Sequence, residues 1–244
     1  MGRKACRGVR ITVEKIRGIK AISFDADGTL WDFSKVMRHS LAWVMMELER
    51  ADPLAAAELT IDKMIEIRNR VAEELKGKVT NLEVIRYRAF RETLIVAGRP
   101  DDALAAKLNS IYLKHRFADI ELYPDVLPTI KALKDDFTLG LLSNGNSYPE
   151  KCGLDGIFEF VVFSQDHGVE KPDEELFRIA LEQAHCEADQ LLHVGDSLET
   201  DVAGATGAGI RSVWLNRERT PNDSSISVES EIKSLSELTQ LLYV

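Results

Sequence analysis

Cysteine is scarce. Cys6, Cys152 and Cys186 are the only three in 244 residues, and no two form a Cys-x-x-Cys pair. That leaves no material for a disulfide framework or a cysteine zinc site, and a reducing cytoplasm is the expected setting. No apolar run approaches the roughly 18 to 20 residues that span a bilayer, so no membrane helix is expected. Positive charge is not in excess either: 31 Lys and Arg against 40 Asp and Glu give a net charge of -9. An acidic field repels phosphate backbones, which argues against nucleic acid as a partner. Internal repeats and low-complexity tracts are also missing. Basic residues gather only at the start, where Arg3, Lys4, Arg7, Arg10, Lys15, Arg17 and Lys20 face one acid, Glu14. No apolar stretch follows them, so a solvated arm is expected rather than a secretory signal.

What the chain does have is 45% hydrophobic residues, enough for a core, arranged in alternating patterns. Ile19 to Ser23 is a short apolar, β-branched run that reads as a buried strand, and it leads into Phe24-Asp25-Ala26-Asp27-Gly28-Thr29-Leu30. Further strands are predicted at Thr138–Leu142, Phe160–Phe163, Leu191–Val194 and Arg211–Leu215. Helices are predicted at Val126–Leu133, Asp173–Ala184 and Asp201–Ala208, and a final amphipathic one at Ile232–Leu242. Strand and helix in alternation with short connections give a Rossmann-like, doubly wound parallel α/β sheet. Between the first two strands the period changes to helical. Apolar stripes such as Met37, Leu41, Val44 and Leu48, then Ile61, Met64 and Ile65, mark helices ended by Pro53, Gly77 and Gly98. Residues 33–118 are therefore expected to form an inserted four-helix bundle, with 1–32 and 119–244 as the α/β core. His115 falls on an apolar stripe with no second His or Cys at ligand spacing, so a packed or surface role is expected. The arginines and lysines of the bundle, Arg68, Arg86, Arg88 and Lys114 among them, are expected mostly on a solvated face, with one or two of them able to reach an anionic substrate. Residues Arg217 to Ser227 read as a mobile loop. The Gly204 to Gly209 run has its glycines in the wrong order for a dinucleotide loop and suits close helix packing and a C-terminal cap.

The predicted strands end in polar residues of useful kinds: Asp25 and Asp27, then Ser143 and Asn144, then Gly195-Asp196-Ser197 with Asp201 one turn on. Glu170-Lys171-Pro172-Asp173 adds a lysine just before a helix start. The C-terminal edge of a parallel sheet is where ligands bind. Like charges at about 4 Å repel by roughly 4 kcal/mol at an effective dielectric of 20, so converging carboxylates require a cation. Oxygen donors select a hard ion such as magnesium. An anionic phosphate could then be met by Lys171, Ser143 and backbone N–H groups.

Together these motifs resemble the haloacid dehalogenase superfamily, in its phosphatase branch with a helical cap after the first strand, as in phosphoglycolate-phosphatase-like enzymes. The resemblance covers nearly the whole chain from Ile19. It implies Asp25 as nucleophile forming an aspartyl-phosphate, Asp27 as general acid and base, and Lys171 stabilising the intermediate. It implies phosphate contacts from Ser143, Asn144 and Lys171. A Mg²⁺ site would use Asp25, the Asp27 backbone carbonyl and Asp196, with Asp201 supporting it, directly or through water. The implied activity is hydrolysis of a small phosphorylated metabolite. L-2-haloacid dehalogenase and phosphomutase remain as alternatives, with a receiver-like phospho-aspartate module as the non-enzymatic one. An acid at Asp27 and the Asp196 and Asp201 pair favour the phosphatase, because the dehalogenases lack the first and need no metal. Whether the chain is a monomer or a homodimer is left open.

Overall fold

The computed structural model describes residues 15–242, so Cys6 and the basic arm through Arg10 lie outside the described residues. β1 (Ala21–Phe24) leads into five helices: α1 (Phe33–Ala51), α2 (Pro53–Ala57), α3 (Ile61–Leu75), α4 (Leu82–Val96) and α5 (Asp102–Ala118). The chain then returns through α6 (Val126–Leu133), β2 (Thr138–Ser143), β3 (Phe160–Phe163), α7 (Ser164–His167), α8 (Glu174–Ala184) and β4 (Leu191–Gly195). A wide π-type turn at Leu198–Ala203 runs into α9 (Gly204–Gly207), followed by β5 (Arg211–Leu215), β6 (Glu231–Ile232) and α10 (Leu238–Leu242). The strands form one six-stranded parallel sheet in the order β3-β2-β1-β4-β5-β6.

Strand alternation sends neighbouring side chains to opposite faces, and both faces are covered. Ile22, Phe24, Leu139, Leu141, Leu192 and Val194 pack with Val126, Ile130 and Leu133 of α6 and Leu238 and Leu241 of α10. Ala21, Leu142 and Leu191 pack instead with Leu176, Phe177 and Ala180 of α8. The doubly wound fold expected from the pattern is the fold observed. Gly204 owes its residue type to this packing, because a Cβ there would come within 2.7 Å of the Phe177 ring.

The helices between β1 and α6 have a core of their own, built from Met37, Leu41, Val44 and Leu48 of α1, Phe90 and Leu94 of α4, and Leu108 and Tyr112 of α5. Their breaks are set by capping side chains. Asp32, Asp52, Thr60, Asn81 and Asp101 each accept a backbone N–H from the first turn of the helix they precede. Asp52-Pro53 both ends α1 and starts α2, a short helix the apolar periodicity does not reveal.

The C-terminal segment differs from expectation. Ile232 is in β6, where its carbonyl accepts the Asn216 N–H at 2.8 Å, and only Leu238–Leu242 is α-helical. Satisfying the edge of β5 outweighs the helical period of so short an apolar run. The polar stretch after β5 forms no helix or strand until Glu231. Arg217 within it is nonetheless anchored, donating two bonds to the Asp125 carboxylate at 2.9 and 3.0 Å and one to the Thr29 carbonyl at 2.9 Å. No helix among the described residues is long and apolar enough to cross a membrane.

Candidate active site

β1 pairs with β2 on one side and β4 on the other, so the chain ends leaving these strands lie side by side at the switch point of the sheet. Asp25 follows β1, Ser143 closes β2, and Asp196 follows β4. Oxygens of Asp25, Asp196 and Asp201 fall within 4.8 Å of one another. Residues from two widely separated parts of the sequence, near 25 and near 200, thus meet at one point. Asp201 is brought there by the π-type turn, in which both the Asp201 and Val202 N–H groups donate to the Ser197 carbonyl at 3.0 and 3.2 Å. Two glycines make room. A Cβ on Gly28, whose φ is +90°, would stand 2.5 Å from an Asp196 oxygen, and one on Gly195 would stand 2.3 Å from the Asp201 carboxyl.

Lys171 is buried in the middle of this cluster. Its Nζ donates to Asp25 Oδ1 at 2.8 Å, Asp201 Oδ1 at 2.6 Å and the Leu142 carbonyl at 2.9 Å. All three N–H bonds are spent on protein acceptors, so toward an incoming anion Lys171 offers charge rather than a spare donor. Burial works against its ammonium form, but Asp201 and Asp25 outweigh burial and raise its pKa. Burial likewise opposes the Asp201 carboxylate, yet Lys171 and a hydrogen bond from His193 hold it well below the usual range. Asp25 lacks such surplus support. Burial, with repulsion from Asp201 and Asp196, pushes it up to about 8 against the pull of Lys171. Asp196 rises to about 6, mainly through burial and then through Asp201. A hard divalent cation at this cluster is what its excess negative charge and all-oxygen donors fit.

Asp27 faces the same cavity of about 260 Å³ from the other side. Its Oδ1 accepts from Trp31 Nε1 at 2.8 Å and Arg116 Nη2 at 2.9 Å, leaving Oδ2 with a longer 3.3 Å contact to the same guanidinium. Gly145 lets this carboxylate approach, since a Cβ there would be 3.0 Å from Asp27 Oδ2. Arg116, which the sequence reading did not single out, is fully buried at the end of α5 and also donates to Ser147 Oγ at 2.8 Å. The signal for it is its position one turn beyond Leu108 and Tyr112 on the buried face of α5: a charge continuing an apolar stripe needs a buried partner.

One expectation is corrected by the geometry. Asn144 does not present its side chain to an anion. Its Nδ2 donates to the Lys171 carbonyl at 2.9 Å and its Oδ1 accepts the Lys171 N–H at 2.7 Å, a clasp that positions the lysine. Arg86 is not on a solvated face. It lines the cavity with Arg68, donating to the buried Asn146 Oδ1 at 2.7 Å, while its buried Nη1 has no hydrogen-bond partner. Burial, opposed by Tyr112 and reinforced by the charge of Arg116, draws its pKa down to about 10. Lys171 stands just before α8, as expected: Asp173 is the N-cap, and its side chain accepts the Glu175 N–H. Ser143 is where the strand pattern puts it, buried at the cavity with its Oγ accepting the Gly145 N–H at 3.1 Å. His193, a polar residue inside β4, is a further omission. Its Nε2 lies 3.2 Å from Asp201 Oδ1 and its Nδ1 2.9 Å from Ser23 Oγ. Burial lowers its pKa, and a neutral ring that donates from Nε2 and accepts at Nδ1 satisfies both contacts.

A family model described as haloacid dehalogenase-like hydrolase matches residues 19–209. The chain is 29% identical over 233 residues to the 5-amino-6-(5-phospho-D-ribitylamino)uracil phosphatase YigB of Escherichia coli, covering 92% of this chain and 96% of that one. Among solved structures, a 2-haloacid dehalogenase from Pseudomonas syringae superposes with a TM-score of 0.78 at 32% identity, covering 91% and 97% of the two chains. The HAD-hydrolase YfnB of Bacillus subtilis, solved bound to magnesium, superposes with a TM-score of 0.74 at 27% identity, covering 93% and 100%.

Proposed function

The chain belongs to the haloacid dehalogenase-like hydrolase family, and from that premise we propose that it is a Mg²⁺-dependent phosphatase of small phosphorylated metabolites. The observation that carries this reading is the convergence of Asp25, Asp196 and Asp201 around Lys171, with Asp27 across the same cavity.

An Asp25 carboxylate oxygen attacks phosphorus, forming an aspartyl-phosphate and releasing an alkoxide. Asp27 protonates that alkoxide through Oδ2, then takes a proton from the water that hydrolyses the intermediate. Trp31 and Arg116 hold the other oxygen, Oδ1, so the carboxylate keeps one orientation through both steps. Ser143 Oγ and the backbone N–H groups after β2 contact the phosphoryl oxygens, and Lys171 balances the charge gathered on Asp25. Magnesium held by Asp25, Asp196 and the Asp27 carbonyl, with Asp201 in support, would neutralise phosphoryl charge and keep Asp25 ionised. The helices of residues 33–118 act as a cap. From it, Arg68 and Arg86 donate only to the neutral Asn69 and Asn146, so they favour a substrate with a second anionic group, such as a carboxylate or a further phosphate.

A dehalogenase reading has one observation behind it, the likeness to the Pseudomonas syringae structure. Asp27 and the acidic cluster have no task in it. The deciding experiment assays phosphate release from p-nitrophenyl phosphate and a panel of phosphorylated metabolites, with magnesium or chelator, beside halide release from 2-haloacids. Magnesium-dependent phosphate release supports the phosphatase. Halide release that chelator leaves unchanged, without phosphate release, overturns it.

A further inference from the structure

We propose that His39, His115 and Asp119 form a second cation site, for a borderline divalent transition-metal ion such as zinc, at the root of the helical insertion. His115 and Asp119 are four residues apart at the end of α5 and so share one helix face. His39, on α1, joins them although it lies 80 residues from Asp119 in the chain. His115 is packed against Trp43, as expected from its apolar stripe, and a partner as distant as His39 leaves no mark in local spacing. His39 Nε2 and His115 Nδ1 lie 2.9 and 2.8 Å from the same oxygen, Asp119 Oδ2. Ligand atoms of all three residues fall within 4.8 Å of one another.

A second observation concerns Trp43. Its ring stacks on His115, with centroids 4.4 Å apart and planes within 4°, which fixes the imidazole. Its Nε1–H also points at His39 Nε2 from 3.3 Å. Without an ion, His39 Nε2–H and His115 Nδ1–H can both donate to Asp119 Oδ2, and these bonds lower the Asp119 pKa. If His39 Nε2 accepts the indole proton, it has none to give, and its lone pair faces a carboxylate oxygen. If Nε2 is protonated instead, the exposed indole N–H turns to solvent. A cation would take the place of those two protons, since both imidazoles and Asp119 can give lone pairs to it.

Two nitrogens and a carboxylate oxygen suit zinc and its neighbours, unlike the all-oxygen set around Asp25. The adjoining hollow of about 520 Å³ between Lys35, His39, Asp119 and Glu121 gives an ion an entry path. An ion here would tie the start of α1 to the segment that returns from α5 to the core. It shares no residue with the acidic cluster.

The test titrates Zn²⁺ into wild-type, H39A and H115A protein by calorimetry in saturating Mg²⁺, and Ni²⁺ into wild-type and W43F protein by tryptophan fluorescence. One zinc per chain is expected, weakened in each histidine variant by at least the roughly tenfold lost when even an outer partner of a metal ligand is removed. His39 is exposed, so H39A keeps the test decisive if H115A folds poorly. Nickel quenching is expected in the wild type and not in W43F, which retains Trp31 and Trp214. A smaller loss in H39A, no zinc binding, or quenching that survives in W43F overturns the proposal.

Discussion

Replacing Lys171 by Met tests the charge balance of the site most severely. The substitution keeps the length and apolar stem of the side chain and removes the ammonium that donates to Asp25, Asp201 and the Leu142 carbonyl. Asp201, 2% exposed, then remains buried without its cation, while Asp25, already pushed up to about 8, holds a proton at neutral pH in chelator. Breaking a buried ion pair by deleting one partner costs about 3–5 kcal/mol, and the orphaned carbonyl places K171M toward the upper end. Urea unfolding at neutral pH in chelator should therefore show a midpoint shifted by that amount divided by an unchanged slope. Saturating Mg²⁺ should stabilise K171M more than the wild type, because the ion supplies charge that the variant lacks. Adding D201N to K171M should recover part of the loss, since the second substitution removes the stranded charge. A loss below about 1 kcal/mol, or additive effects of K171M and D201N, would refute the claim that these groups form one electrostatic unit.

Three further outcomes follow from single contacts. R116M should lower kcat by about 100-fold, the lower end of what a general acid–base contributes, with little change in KM, because Asp27 loses its orienting partner; stopped-time phosphate assays check this. R86A should raise KM about 10-fold or more for substrates with a second anionic group, the equivalent of one charged hydrogen bond, and leave KM for p-nitrophenyl phosphate almost unchanged. Asp125 accepts from Arg217, Ser234 Oγ and the Leu235 N–H; burial opposes its charge, but these bonds win and lower its pKa. Its contribution is thus present above the ordinary carboxylate pKa of about 4 and lost as pH falls through the lower folded value. D125N should be less stable than wild type by about 2 kcal/mol at pH 7, with the gap closing below about pH 4 in thermal melts.

The sheet and the helices were legible because each carries its own period, and because Pro53, Gly77 and Gly98 mark where helices end. Asp25, Asp196 and Ser143 were legible as polar residues ending apolar strands, a local pattern. What escaped was whatever depends on a distant partner. Arg116 reads as an ordinary helix-end arginine until Asp27, 89 residues away, comes beside it. His193 reads as an odd residue in a strand until Ser23, 170 residues away, and Asp201 take its two nitrogens. For Asn144 the family resemblance implies a phosphate contact, whereas its amide is occupied by the Lys171 backbone, which no spacing announces. β6 has two residues, too few for a period to show.

The central claim is that Asp25 is the nucleophile of a magnesium-dependent phosphoryl transfer. Its most direct test compares steady-state phosphate release by wild-type and D25N protein in saturating Mg²⁺, with circular dichroism confirming that both are folded. The account predicts turnover in the wild type and none above background in D25N. Comparable turnover in the two proteins would contradict it.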